Sequence, residues 1–225
     1  MEGTNIIKLE IEGNPFIGAF GVATDKFAVV TRNISKTKEQ MLRETLGVEI
    51  IKATIDNSHL VGIYVACNSK GILLPITSEH SEMEQIKKQM AGLEVDILKT
   101  DMNALRNNIL ANDRIAVLNP EYTQKEEKMI ADVLRVETIR RDIGGFNTVG
   151  ANNILTNKGA VFNNRVNEDE KKELEELFKV EAEQSTANLG SLAIGLSVLA
   201  NSNGVAVGGK TTGFELARIT NALNL

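Results

Sequence analysis

The chain has 225 residues, 42% of them apolar and only 4% aromatic with no Trp, which suits one large domain with an aliphatic, small-residue core. A formal net charge of −5 argues against an electrostatic grip on bare nucleic acid and fits a basic protein surface better. One cysteine, Cys67, excludes an internal disulfide, and neither a charged-then-apolar leader nor an apolar run of about 18 residues occurs, so no membrane span and a reducing, cytoplasmic setting are expected.

In chain order, IIKLEI (Ile6–Ile11) reads as a first strand. FIGAFGVAT, the turn Asp25-Lys26-Phe27 and FAVV then read as a β-hairpin, followed by a helix whose inward residues are Leu42 and Leu46, and by a strand from Val48-Glu49. The pattern returns. LVGIYVACN and GILL flank Ser69-Lys70-Gly71, LRNNILAND and IAVL flank Asp113-Arg114-Ile115, TVGANNILT and GAVF flank Asn157-Lys158-Gly159, and LAIGLSVLA and GVAV flank Ser202-Asn203-Gly204. Helix positions repeat in step: Ile86 and Met90, Ile130 and Leu134, Leu174 and Phe178, Ile219 and Leu223. Strands from Leu93-Glu94, Val136-Glu137 and Val180-Glu181 close the second, third and fourth copies.

Two columns sharpen the repeat. Gly18, Gly62, Gly150 and Gly195 share one, interrupted by Arg106, and Glu82, Glu126, Glu170 and Glu215 share another. Thr123, Asn167 and Thr212 precede the last three Glu residues by three positions, the spacing of a capping box. The expected fold is therefore α/β, with five strand-strand-helix-strand units over about 12–55, 56–99, 100–143, 144–187 and 188–225. The fifth unit lacks a closing strand and Ile6–Ile11 is spare, so that strand is expected to complete it and close a ring, helices outside.

Three stretches invite chemistry. Gly204, Gly209, Lys210 and Thr211 match the phosphate-loop pattern, but the register makes Val205–Gly208 a strand, and Lys210 falls before the expected N-cap Thr212. Cys67 falls on a hairpin strand as a small core residue; a thiol–imidazole pair would need His59 to reach it, and Cys67, His59 and His80 have no metal-site spacing, so no cofactor is expected. The loops that lead into each unit carry Asn14, Ser58 with His59, Asn103, Asn147 and Asn188. In a ring these collect on one face, where polar loops suit recognition of protein or RNA, although Asn also simply favours turns.

Several segments resemble one family. They are Asn14-Pro15-Phe16-Ile17-Gly18, Val61-Gly62 with Gly71-Ile72-Leu73-Leu74-Pro75, Asn103-Ala104-Leu105-Arg106-Asn107, Ala131 to Glu137 (ADVLRVE), and Thr212-Gly213-Phe214-Glu215-Leu216. Together they span nearly the whole chain and resemble the translation initiation factor 6 family of archaea and eukaryotes. The resemblance implies the pentein fold, five ββαβ units about a pseudo-fivefold axis. It also implies a non-enzymatic monomer that binds the large ribosomal subunit, at ribosomal proteins near the sarcin–ricin loop and at rRNA, bars the small subunit, and takes part in large-subunit maturation. Asn103, Leu105 and Asn107 match the family's binding loop, in which Arg106 replaces the common Gly. Regulation through the C-terminal tail of eukaryotic members is not expected to carry over. Pentein-fold deiminases and amidinotransferases, here through Cys67, and nucleotide binding at Gly204–Thr211 are the alternatives.

Overall fold

In the computed structural model, which describes residues 5–90 and 92–225, the chain opens with β1 (Ile6–Leu9). The first unit then runs through the 3-10 turn Ile17–Ala19, β2 (Gly21–Ala23), β3 (Phe27–Thr31), α1 (Lys36–Leu46) and β4 (Glu49–Ala53). The second comprises α2 (Val61–Tyr64), β5 (Ala66–Cys67), β6 (Gly71–Pro75), α3 (His80–Gln89) and β7 (Glu94–Leu98). The third has α4 (Leu105–Asn108), β8 (Ile109–Ala111), β9 (Ile115–Leu118), α5 (Gln124–Leu134) and β10 (Glu137–Arg140). The fourth has α6 (Val149–Asn152), β11 (Ile154–Leu155), β12 (Gly159–Asn163), α7 (Glu168–Phe178) and β13 (Glu181–Ser185). The fifth ends after α8 (Ile194–Ser197), β14 (Val198–Ala200), β15 (Val205–Gly208) and α9 (Gly213–Ala222).

Each unit yields a three-stranded sheet whose central strand is antiparallel to the short hairpin strand and parallel to the closing strand. In the fifth sheet the closing place belongs to β1, with Ile6 opposite Val205 and Leu9 opposite Gly208. This is the closed five-unit ring expected of the pentein fold. The first strand is shorter than the sequence suggests: it stops at Leu9, and Ile11 instead bridges to Asn14 across a tight turn.

The central strand β3 is buried along its whole length because both of its faces are covered. Ala28 and Val30 point with Leu42 and Leu46 of α1 toward Leu9, Leu199 and Ala206 of the fifth unit. Phe27 and Val29 point the other way, with Ile51, toward Ile72, Leu74, Ile86 and Val95 of the second unit. Helix α1 is thus wedged between its own sheet and β15 of the fifth unit, and α3 likewise touches β4 of the first. Each apolar cluster straddles a junction between units, so no unit can bury its core alone.

The apolar run read as one long first hairpin strand divides in two. Its first part is a single helical turn in every unit, and these turns touch one another in a closed series: Ile17–Ala19 to α2, α2 to α4, α4 to α6, α6 to α8, and α8 back to Ile17–Ala19. The glycine column explains the approach. A Cβ at Gly62 would strike the carbonyl of Gly18, one at Gly195 that of Gly150, and one at Gly18 that of Gly195. At the opposite end of the axis, buried Asn side chains tie three of the five turns, those of the second, third and fifth units, to the next unit. Asn68 Nδ2 donates to Asn112 O (3.1 Å) and Leu134 O (2.8 Å), and Asn112 Nδ2 to Thr156 O (3.1 Å).

Candidate docking face

The leading loops immediately precede the ring of helical turns, so they lie at the end of the axis opposite the hairpin turns. Three of them are two-residue turns with both central residues at positive φ: Glu12 and Gly13 (53° and 74°), Asp56 and Asn57 (both 55°), Gly144 and Gly145 (61° and 76°). The fifth loop is longer, with Asn188, Leu189 and Gly190 at 51°, 64° and 91°. The third has no residue of this kind; there Met102 N–H donates to Thr100 Oγ1 (3.2 Å) and Asn103 N–H to Asp101 O (3.1 Å).

The Glu column holds these loops. Glu82 accepts from the N–H groups of Asp56 (2.8 Å) and Asn57 (3.1 Å), Glu170 from Gly144 N–H (2.9 Å), and Glu215 from Gly190 N–H (2.8 Å) and Thr186 Oγ1 (2.8 Å). Glu126 and Glu215 also complete capping boxes with Thr123 and Thr212, and Glu82 forms one with Glu79. Asn167 caps Glu170 N–H (2.9 Å), but the Glu170 carboxylate reaches the loop rather than the Asn167 N–H. The spacing therefore reveals the caps but not their second task. In the first unit the column holds Lys38, and Glu12 instead meets Nδ1 of His59 at 3.1 Å, linking two loops.

The predicted contact residues fall into three groups. Asn14, Ser58, His59, Asn103 and Asn147 are at least partly exposed on this face. Asn14 Oδ1 accepts Phe16 N–H (2.8 Å) and Ser58 Oγ accepts Leu60 N–H (3.1 Å), so turn formation accounts for part of their presence. Asn147 Nδ2 donates to Glu121 Oε1 (3.3 Å) across a unit boundary. Arg106 and Asn107 sit on α4 at the axis, half-buried, with Arg106 Nη1 donating to Gly150 O (2.5 Å). Leu105 and Asn188 are buried. Leu105 is fully buried in the core shared by the second and third units. Asn188 is only 8% exposed and donates to Pro15 O (2.9 Å), bridging the fifth loop to the first.

Sequence reasoning passed over the charge of this face. Glu12, Asp56, Asp101 and Asp142 are exposed in four of the loops. The fifth loop instead presents Leu189, 70% exposed, beside the N-terminal turn of α9, where Phe214 is 72% exposed. Only Glu12 and Asp56 are in register; Asp101 and Asp142 fall at other positions of their loops, so the shared charge appears only once the loops are placed on one face.

The geometry speaks against both alternatives, a Cys67 nucleophile and nucleotide binding at Gly204–Thr211. Cys67 is buried in β5, and burial pushes its thiol pKa up to about 12, while His59 is on the outer loop hydrogen-bonded to Glu12 and Asn33. Residues Val205–Gly208 form β15 with strands on both sides, so their N–H groups face β1 and β14 rather than a phosphate. Among the described residues no helix is long and apolar enough to cross a membrane.

The family model described as "eIF-6 family" matches residues 6–222. The chain belongs to that family. It is 39% identical to Translation initiation factor 6 of Pyrococcus abyssi over 98% of this chain and 99% of that one. With the factor of the same name from Saccharolobus islandicus strain L.S.2.15 it shares 40% identity over 97% and 99% of the two chains. Membership places the chain among translation factors, with a ribosome-related partner. Among solved structures it is similar to the N-terminal domain of ArgZ, a cyanobacterial arginine dihydrolase, at 13% identity and a TM-score of 0.47 over 87% of this chain and 73% of that one.

Proposed function

We propose that this chain binds the large ribosomal subunit through its leading-loop face and sterically prevents the small subunit from joining. Family membership across residues 6–222 carries the reading. The contacts assigned to Asn14, Ser58, His59, Asn103 and Asn147 surround the axis, with Arg106 and Asn107 at its centre. Exposed Glu12, Asp56, Asp101 and Asp142 favour a basic ribosomal protein near the sarcin–ricin loop over rRNA phosphates as the main partner. No bond is made or broken: the chain acts by bulk, and a body of 225 residues has a radius of gyration of about 17 Å. Cores shared between neighbouring units make that body stiff, so a partner cannot reach its surface by deforming it. The factor works as a cytoplasmic monomer and accompanies the large subunit during maturation.

Sucrose-gradient sedimentation tests this. Purified protein should comigrate with large subunits at one copy each and reduce the fraction of joined ribosomes when small subunits are added. Equal binding to small subunits, or joining unaffected at saturation, would remove the reading.

A further inference from the structure

The five short hairpin strands enclose a chamber of about 30 Å³ on the axis. Its walls are apolar side chains such as Val22, Ile109, Leu155 and Leu199, together with Cys67, and Arg106 is the one charged residue among the described residues that line it. The guanidinium has a single protein acceptor, Gly150 O, and no Asp or Glu within ion-pair distance among the described residues. Arginine keeps its charge under these conditions and carries five N–H donors, most of them here without a protein acceptor.

A half-buried cation facing apolar side chains is stabilised by a counter-charge. The Cys67 thiol cannot supply it, since burial keeps it protonated. Asp25 and Asp113 lie at the other end of the axis, where Asn157 Nδ2 bridges them (2.8 and 2.7 Å) and the N–H groups of Ser202 and Ser69 engage them (both 2.8 Å). Space selects the ligand. A cavity needs roughly 10–15 Å³ on this measure for one water-sized sphere, so 30 Å³ admits one or two such spheres and excludes sulfate, phosphate or a carboxylate side chain.

We propose that the axial chamber is a binding site for a halide-sized monovalent anion such as chloride, held by the Arg106 guanidinium. The anion neutralises the one position where a cation replaces a glycine in the ring of helical turns. A water molecule would satisfy N–H groups but leave the charge uncompensated.

Thermal unfolding at constant ionic strength tests the site, with sodium gluconate exchanged stepwise for sodium chloride or bromide. The wild-type Tm should rise saturably, by about 3–6 °C at ten times the Kd. Arg106→Met should lose the saturable rise. Crystals grown in bromide should show an anomalous peak within hydrogen-bonding reach of the guanidinium. A Tm in wild type that is the same in gluconate and halide, or an ordered water without anomalous signal at that position, overturns the proposal. Should Arg106→Met fail to fold, the wild-type salt exchange and the bromide peak decide the matter by themselves.

Discussion

Asn201 Nδ2 donates to the carbonyl of Thr24, 2.9 Å away across the seam where the fifth unit meets the first. The same amide reaches Leu46 O at the end of α1 (2.8 Å), so one buried side chain satisfies two buried carbonyls at the point of ring closure. Asn201→Ala should therefore cost about 2–3 kcal/mol, since Thr24 O loses its side-chain donor away from water while Leu46 O keeps Asn203 Nδ2 (3.1 Å). The Thr156 hydroxyl, at the equivalent position of the fourth unit, bonds only within its own turn, donating to Gly159 O (3.0 Å), and Thr156→Ala should cost about 1 kcal/mol. Urea denaturation of the two variants checks the contrast; equal losses would mean that the seam is not held this way.

The loop anchors make stability depend on pH. Burial alone would raise the Glu215 carboxyl pKa, but the N–H groups of Thr212 and Gly190 and the hydroxyl of Thr186 outweigh it and hold the value below that of an ordinary Glu. Glu126 is lowered in the same manner, its burial outweighed by hydrogen bonds from Thr100 and Thr123. A depressed carboxyl stabilises the fold fully above the unfolded value of about 4.5, and the contribution is lost as pH falls through the folded value. Tm should hold steady above that value and decline below it, with a shallower decline in Glu215→Gln. An unchanged slope in the variant would show that Glu215 is not a linked group.

Leu189 occupies the left-handed region (φ 64°) while 70% of its surface is exposed. A branched side chain in that conformation costs on the order of 1 kcal/mol, and little burial offsets it. Leu189→Asn should raise stability by about 0.5–1 kcal/mol, because Asn tolerates this conformation. If the residue serves the docking face, the same variant will bind ribosomal subunits more weakly while being more stable. Calorimetry and gradient binding on one preparation separate the two effects, and a destabilised Leu189→Asn would contradict the strain argument.

Cys67 should be chemically quiet. With its thiol pKa raised to about 12 by burial, alkylation by iodoacetamide at pH 8 should run at least about 100-fold slower in the native protein than in urea. Comparable rates would reopen a nucleophilic role.

On the docking face, charge and structure can be pulled apart. Reversing Asp56 and Asp101 together to Lys should weaken large-subunit binding by about tenfold or more and alter its salt dependence, with stability lowered by about 0.5–1 kcal/mol because Lys suits the left-handed φ of Asp56 (55°) less well than Asp. Asn188→Ala should do the opposite: it loses the bond to Pro15 O, destabilises by about 1–2 kcal/mol, and leaves the affinity of the folded fraction intact. Binding lost in Asn188→Ala but kept in the Lys variant would place the interface elsewhere.

The repeat was open to reading because its signals are local. Hairpin turns, capping-box spacing and helix faces such as Leu42 with Leu46 are set by neighbours a few residues away, and a step of 44 residues, 45 into the last unit, multiplied them into a fold. Even ring closure could be argued, from one surplus strand and one missing strand. What the sequence could not decide depends on residues far apart in the chain. The helical turns around Gly18, Gly62, Gly150 and Gly195 look like strand by composition, and become helical where backbones of different units meet too closely for a Cβ. Asn14 and Asn188 look alike as loop residues, yet one is exposed and the other buried, because only the ring brings Pro15 to Asn188. Local chemistry thus determined the unit and its number; the packing of units against one another decided which side chains face solvent, which hold the seams, and which one carries a charge into the axis.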